Sequence, residues 1–135
     1  MMLRWLTAVA VLVSGVVHLK LWFDGYQDID VVGPLFMLNA VGALVIAAAV
    51  VAWRHWLPLL AAVGFGASTL GAFVISATVG LFGVHEVWSG GAVITAAIAE
   101  VVAVVAGTAA LVVEWRQRSG GQLEHPFAPR RTHVN

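Results

Sequence analysis

This sequence has no cysteine and few charged side chains. Its 135 residues include no cysteine, seven lysines and arginines, and seven aspartates and glutamates, so only 10 % of the chain is charged. A soluble domain averages about 25 % charged residues, and a small one needs them to cover its surface. The lack of cysteine excludes disulfide frameworks, thiolate metal sites and thiol redox chemistry. The scarcity of charge excludes a soluble globular enzyme, a disordered segment and a nucleic-acid binder with a basic face.

Long apolar segments are what the sequence has instead. Hydrophobic residues make up 61 % of the chain, and a helix needs roughly 20 consecutive apolar residues to cross a bilayer. Four segments meet this requirement, and they lack the alternation that is typical of membrane-spanning strands. The sequence therefore predicts an all-α integral membrane protein with four transmembrane helices, at about residues 3–23, 31–53, 57–84 and 87–115.

The tryptophans support these boundaries. Tryptophan prefers the bilayer interface, where its ring is in apolar surroundings and its N–H can reach water. Each tryptophan of this chain lies near an end of a predicted span and none lies mid-span; they are Trp5, Trp22, Trp53, Trp56, Trp88 and Trp115.

The basic residues predict the orientation. Lysine and arginine favour the cytoplasmic side of a membrane, and if the N-terminus is inside, Lys20 alone of the basic residues lies outside. Both termini are then cytoplasmic, and the short loops predict an up-down-up-down bundle in the inner, cytoplasmic membrane. We expect residues 1–118 to form the transmembrane domain and 119–135 a flexible cytoplasmic tail. No small-residue cleavage site follows the first span, so we expect a helix there rather than a signal peptide.

Small side chains recur on two of the predicted helices. Because lipid tails are as apolar as leucine, membrane helices associate where small residues allow close approach. The third span carries them at every fourth position: Gly64, Ser68, Ala72, Ser76 and Gly80. The fourth span carries Ala96, Ala103, Gly107 and Ala110 around Glu100. We expect both faces to pack within the bundle; the alternative for the third span is a homodimer interface.

Glu100 is the one charged residue predicted to lie near the bilayer midplane. A carboxylate there costs several kcal/mol unless it is paired or neutralised, so such residues are usually functional. We expect a protonated, hydrogen-bonded acid at neutral pH, with Ser68 or Thr69 at similar depth as its partner. It is predicted to bind a ligand or proton; a purely structural interhelical hydrogen bond is the alternative.

A second polar layer is predicted about one to two turns from the outer surface. Each span contributes one polar residue at that depth: His18, Asn39, Ser76 and Thr95. If these side chains face inward they form a pocket open to the outer side and bind a ligand together with Glu100. The alternative is that each is satisfied locally, as a structural histidine at position 18 would be.

His85 and Glu86, adjacent in an outer loop, are the candidate metal ligands. Histidine with carboxylate suits zinc, copper or iron, and two histidines on facing elements can ligate a haem. The spacing is not diagnostic, and the sequence carries no nucleophile elbow, phosphate loop or His-Glu-x-x-His motif. No catalytic residue is therefore assigned, and a non-enzymatic role is favoured.

The first half of the chain resembles the DoxX-like four-helix membrane proteins. The likeness rests on Arg4-Trp5, Gly15, His18-Leu19-Lys20-Leu21, Gly33-Pro34 and Gly42, and it covers about residues 4–50. Asn39 stands near where that family has a glutamate. DoxX-like proteins are associated with quinone-linked redox complexes, so the resemblance implies a redox role as one hypothesis. The chain more closely resembles small four-helix bacterial membrane proteins rich in alanine, valine and glycine, most of which have no assigned function.

Three functions remain open on this evidence. The first is a binding or transport module with an outward-facing pocket and Glu100 as its proton-linked or cation-attracting group, acting as a homo-oligomer because four helices are few for a transporter. The second is an accessory subunit of a membrane redox complex that binds quinone or haem through His18 or His85. The third is a structural or assembly subunit without a small-molecule site. A divalent metal is a further possible cofactor, and none of these groups is strongly implied.

Overall fold

Four long helices make up most of the chain. The structure is a computed structural model, and it describes residues 1–121. The helices are α1 (Met2–Phe23), α2 (Val32–Ala52), α3 (Trp56–Thr78) and α4 (Gly91–Gly121), with a short 3₁₀ helix at Tyr26–Asp28. All four are long and apolar enough to cross a membrane. This confirms the predicted all-helical class and indicates a multi-pass protein in a lipid bilayer.

The boundaries differ from the prediction most between α3 and α4. The helix α3 ends at Thr78 rather than near residue 84, and α4 begins at Gly91 rather than near 87. The reason is the 79–90 loop, in which Gly80, Phe82 and Gly83 all have positive φ angles that no α-helix allows. At its other end α4 continues to Gly121, past the predicted end near 115. Residues 122–135, most of the predicted flexible tail, lie outside the described residues.

The helix α1 is central to the bundle. It packs along α2 and α4, while α3 packs along α4 and more narrowly against α2. Glycines allow close approaches between the helices: a Cβ on Gly15 would collide with that of Ala43 in α2, and one on Gly66 would lie 2.9 Å from the carbonyl oxygen of Glu100 in α4. The tight interfaces therefore depend on the absence of side chains at these positions.

The small-residue stripe of α3 is only partly inside the bundle. Gly64 and Ser68 are exposed, and a Cβ on Gly64 would have no heavy atom within 4 Å. The expectation that the whole stripe packs internally is therefore wrong at these two positions. In this part of α3 the face that packs against the other helices is a different one, and it carries Leu59, Ala62 and Gly66. By contrast, the predicted small face of α4 is confirmed, because Ala96, Ala103, Gly107 and Ala110 are all buried.

Arg4 joins three helices at the end of the bundle where α1 begins. It is 4 % exposed. Its Nε donates to Glu114 Oε1 in α4 (2.6 Å), and its Nη2 donates to Oε2 (3.2 Å). Its Nη1 donates to the carbonyl oxygens of Val50 (2.8 Å) and Trp53 (3.0 Å), and Nη2 also donates to that of His55 (2.5 Å). The last carbonyls of a helix have no partner within it, so Arg4 caps α2 while it pairs with α4. We call this the Arg4 end, and the opposite end the cavity end.

Candidate functional site

A cavity of about 240 Å³ lies at the cavity end, between all four helices. Its walls are mainly apolar and include Phe36 of α2 and Phe73 of α3. The polar side chains that line it come from every helix and from the 79–90 loop; they are His18, Asn39, Ser68, Thr69, Ser76, Glu86 and Glu100. Three of the four residues of the predicted polar layer, and the midplane glutamate, therefore meet in one place.

Glu100 is the most buried of the polar residues that line this cavity. It is 2 % exposed, and its Oε1 accepts a hydrogen bond of 3.1 Å from the hydroxyl of Ser14 in α1. The predicted partners were wrong: Ser68 and Thr69 both donate to the carbonyl oxygen of Phe65 in their own helix. The helix α1 supplies the partner because it packs closely against α4.

Ser14 is the site residue that the sequence analysis missed. Its hydroxyl binds Glu100, while its carbonyl oxygen lies 2.8 Å from Nδ1 of His18. Because a carbonyl only accepts, Nδ1 carries the proton, and in the neutral ring Nε2 is left as an acceptor. One signal could have indicated it: Ser14 is four residues before His18, on the same face of the helix, and about midway along the span.

Asn39 connects α2 to α3 across the cavity. Its Nδ2 donates to Thr69 Oγ1 at 3.0 Å. Its Oδ1 is the one buried side-chain nitrogen or oxygen within residues 1–121 that has no hydrogen-bond partner. A buried acceptor left unpaired costs about 1–3 kcal/mol, so this atom marks a place where a bound molecule would gain a contact.

Ser76 and Thr95 have different surroundings. Ser76 is buried, and its hydroxyl donates to the carbonyl oxygen of Val84 (2.9 Å), which holds the 79–90 loop against α3. Thr95 is exposed and donates to Gly91 in its own helix. The prediction that Thr95 faces the pocket was wrong, because the buried face of α4 runs through Ala96, Ala99 and Ala103.

Tyr26 and Glu86 bridge the mouth of the cavity. The Tyr26 hydroxyl donates to Glu86 Oε1 at 2.6 Å, and the Tyr26 ring stacks on Phe36 with 4.8 Å between centroids. Phe36 in turn meets the His18 ring edge-on at 4.9 Å. Burial, and then the hydrogen bond and negative charge of Glu86, raise the pKa of Tyr26 to about 12. The bridge therefore joins the 3₁₀ helix to the 79–90 loop above the cavity.

The two predicted metal ligands, His85 and Glu86, do not form a group with a third candidate ligand among the described residues. His85 is exposed, and Glu86 is the acceptor for Tyr26. No group of three histidine, cysteine, aspartate or glutamate residues suited to a metal ion occurs within residues 1–121. The described geometry therefore gives no support to a metal at His85 and Glu86.

The Tyr26–Glu86 bridge predicts an unusual titration. Tyr26 is the only tyrosine, so the absorbance of tyrosinate reports it alone. We expect a midpoint near pH 12 instead of about 10. Since the folded pKa is the higher one, the stability that this group adds is complete below about pH 10 and is lost as the pH rises through 12. Glu86→Gln should move the midpoint part of the way towards 10, because burial remains.

The control for this titration is Asp28→Asn, which removes an exposed acid from the same connection. It should leave the midpoint of Tyr26 near 12. An equal effect of both substitutions would show that general negative charge, and not the hydrogen bond to Glu86, sets the pKa.

Comparisons with known protein families, with curated proteins and with solved structures find no match to this chain. The resemblance to DoxX-like proteins therefore stays a prediction.

Proposed function

We propose that this chain is an integral membrane binding module, whose cavity holds a small and mostly apolar molecule with Glu100 as its polar anchor. The observation that carries the proposal is a cavity bounded by all four helices, with a buried carboxyl group in its lining. Ligand pockets have this composition, with apolar walls and a few convergent polar groups. Glu100 is then the proton-linked or cation-attracting group of the module.

The polar groups favour binding over a purely structural role. A carboxyl group in a membrane span costs several kcal/mol, and a helix junction could be made by small apolar residues alone, as it is around Ala103 and Gly107. Here Glu100, Asn39 and His18 instead line a cavity. An assembly subunit without a ligand would gain nothing from that arrangement.

Transport by this module would need more than one copy. Between Glu100 and the Arg4 end, the core is filled by Val11, Ala47, Val50 and Leu59, so the cavity does not continue through the bundle. The exposed part of the α3 stripe, at Gly64 and Ser68, is where close packing with a second copy is available. We therefore propose a homo-oligomer in which ligand binding is the activity of each chain.

The charges support the proposed orientation. Arg4 near the start of α1 contacts the end of α2 and Glu114 late in α4, as an up-down-up-down bundle requires. Within residues 1–121 the arginines Arg4, Arg54, Arg116 and Arg118 lie at the Arg4 end, and the acidic residues Asp24, Asp28, Asp30 and Glu86 lie at the cavity end. With the basic end inside, both termini are cytoplasmic, the membrane is the inner one, and the cavity opens outward.

A quinone headgroup is the second candidate ligand, with the chain as an accessory redox subunit. Phe36 and Phe73 offer flat apolar walls, and a protonated Glu100 could donate to a quinone carbonyl. Haem is less suitable, because about 240 Å³ is below the roughly 300–1,000 Å³ of pockets for drug-sized ligands.

The test is binding to the protein in lipid nanodiscs, measured by calorimetry against empty nanodiscs. Three probes share one apolar body: 4-phenylbutanol, 4-phenylbutylamine and 4-phenylbutanoate. We expect at least one to bind the wild type, and Ala72→Phe, which fills the cavity, to weaken it by roughly 5- to 100-fold, as overpacking of 1–3 kcal/mol implies. The matched control is Ala67→Phe, at an exposed position of the same helix.

Two results would contradict the proposed function. One is that none of the three probes binds. The other is that Ala72→Phe and Ala67→Phe bind equally well, which would place the probe in lipid or on the surface and leave the assembly subunit as the better account.

A further inference from the structure

We propose that the ligand is a lipophilic amine, held as its ammonium ion by Glu100 at the bottom of the cavity. This rests on the binding function proposed above and adds the chemical class of the ligand. The argument follows from which hydrogen-bonding atoms around the cavity are already used and which are free.

The hydroxyl hydrogens of the cavity are used within the protein. Ser68 and Thr69 donate to the carbonyl oxygen of Phe65, and Ser76 donates to that of Val84. A hydroxyl has a single hydrogen to donate. These three side chains therefore offer a ligand only their oxygen lone pairs.

The remaining polar atoms are mostly acceptors too. His18 uses its Nδ1 proton on Ser14, which leaves Nε2 with a lone pair in the neutral ring. Asn39 donates to Thr69 and keeps an unpaired Oδ1. Glu100 accepts from Ser14 through Oε1 alone, so Oε2 is free among the described residues and is an acceptor once the carboxyl group has lost its proton. A ligand that fits this set donates hydrogen bonds, and an ammonium group is all donor.

The charges around the cavity also favour a cationic ligand over an anionic one. Its titratable residues are His18 of α1, Glu86 of the 79–90 loop and Glu100 of α4, and the described lining includes no titratable group from α2 or α3 and no lysine or arginine. An anion would enter a site of low dielectric without a counter-charge, which is strongly unfavourable. A cation would find one carboxylate near the mouth and another at the bottom.

Proton balance follows from the burial of Glu100. In the empty cavity the neutral acid is the favoured form. When the ammonium ion enters, the carboxyl group loses its proton to water at the mouth, and the ion pair replaces the neutral acid. No covalent bond forms or breaks in the ligand. Binding of an amine therefore releases a proton and becomes tighter as the pH rises while the free acid is protonated.

The experiment compares the three phenylbutyl probes in nanodiscs. We expect 4-phenylbutylamine to bind roughly 10- to 100-fold more tightly than 4-phenylbutanol, as a hydrogen bond to a charged group implies, and 4-phenylbutanoate to bind weakest. Glu100→Gln keeps the size of the side chain and its acceptor for Ser14, and should bring the amine to the level of the alcohol. The same substitution should change the affinity for 4-phenylbutanol by less than about threefold, because the contacts of the alcohol are mostly apolar.

Proton release supplies a measurement that needs no variant. Titrations in buffers of different ionisation enthalpy should show about one proton released per amine bound by the wild type and none with the alcohol. The amine proposal is overturned if the alcohol binds as tightly as the amine or if no proton is released, and cavity binding then still stands. If no probe binds, the proposed function fails together with it.

Discussion

Replacement of Arg4 by alanine is expected to lower the free energy of unfolding by about 3 kcal/mol, the lower end of the cost of removing one partner from a buried ion pair, because the Glu114 carboxylate is partly exposed. The guanidinium group is 4 % exposed and pairs with both carboxylate oxygens of Glu114. It also binds three carbonyl oxygens at the end of α2 and in the turn that follows. Alanine leaves all of these acceptors without their donor, and the Val50 carbonyl oxygen among them is buried.

The measurement is reversible unfolding in mixed micelles, followed by circular dichroism. The matched control is Arg54→Ala, because Arg54 is an exposed arginine at the same end and surface changes usually stay within about 0.5 kcal/mol. Arg4→Lys should fall between the two, since a lysine ammonium cannot pair side-on with a carboxylate as arginine does. If Arg4→Ala and Arg54→Ala shift the midpoint equally, the Arg4 contacts do not hold the helices together.

Arg4 also shows where prediction from this sequence stops. Its position in the chain correctly indicates an end of a span, because charge is excluded from the bilayer. Orientation rules count it only as a basic residue, and nothing local indicates that it points into the bundle. Its partners lie 46 to 110 residues away, so the cluster exists only once α1, α2 and α4 pack together.

The faces of the helices were the hardest feature to predict. In a soluble helix, apolar periodicity marks the buried side, but here lipid and core are both apolar, and the pattern carries little contrast. The number of helices was therefore predictable from hydropathy, whereas the packed face of α3 and the orientation of Thr95 were not. Glu100 could be recognised from the sequence because a charged residue in a membrane span is rare and usually functional. Ser14 could not, because a serine in a membrane span is compatible with many roles.

Gly66 tests the packed face of α3 directly. We expect Gly66→Leu to lower the free energy of unfolding by about 3 kcal/mol, at the upper end of the usual cost of overpacking. A Cβ there would lie 2.9 Å from the carbonyl oxygen of Glu100 and 3.0 Å from Val104 Cγ2. Backbone yields less easily than a flexible side chain, so α3 has to move away from α4. Because that movement separates α3 from Glu100 in α4, binding of 4-phenylbutylamine should become weaker as well.

The matched control is Gly71→Leu in the same helix, where a new Cβ would have no heavy atom within 4 Å. Glycine is less favourable in a helix than alanine by about 0.8–1 kcal/mol, and leucine ranks close to alanine, so this variant should unfold no more easily than the wild type. The two substitutions add the same atoms to α3 and differ only in the face that receives them. Equal unfolding midpoints would mean that α3 does not meet α4 through Gly66.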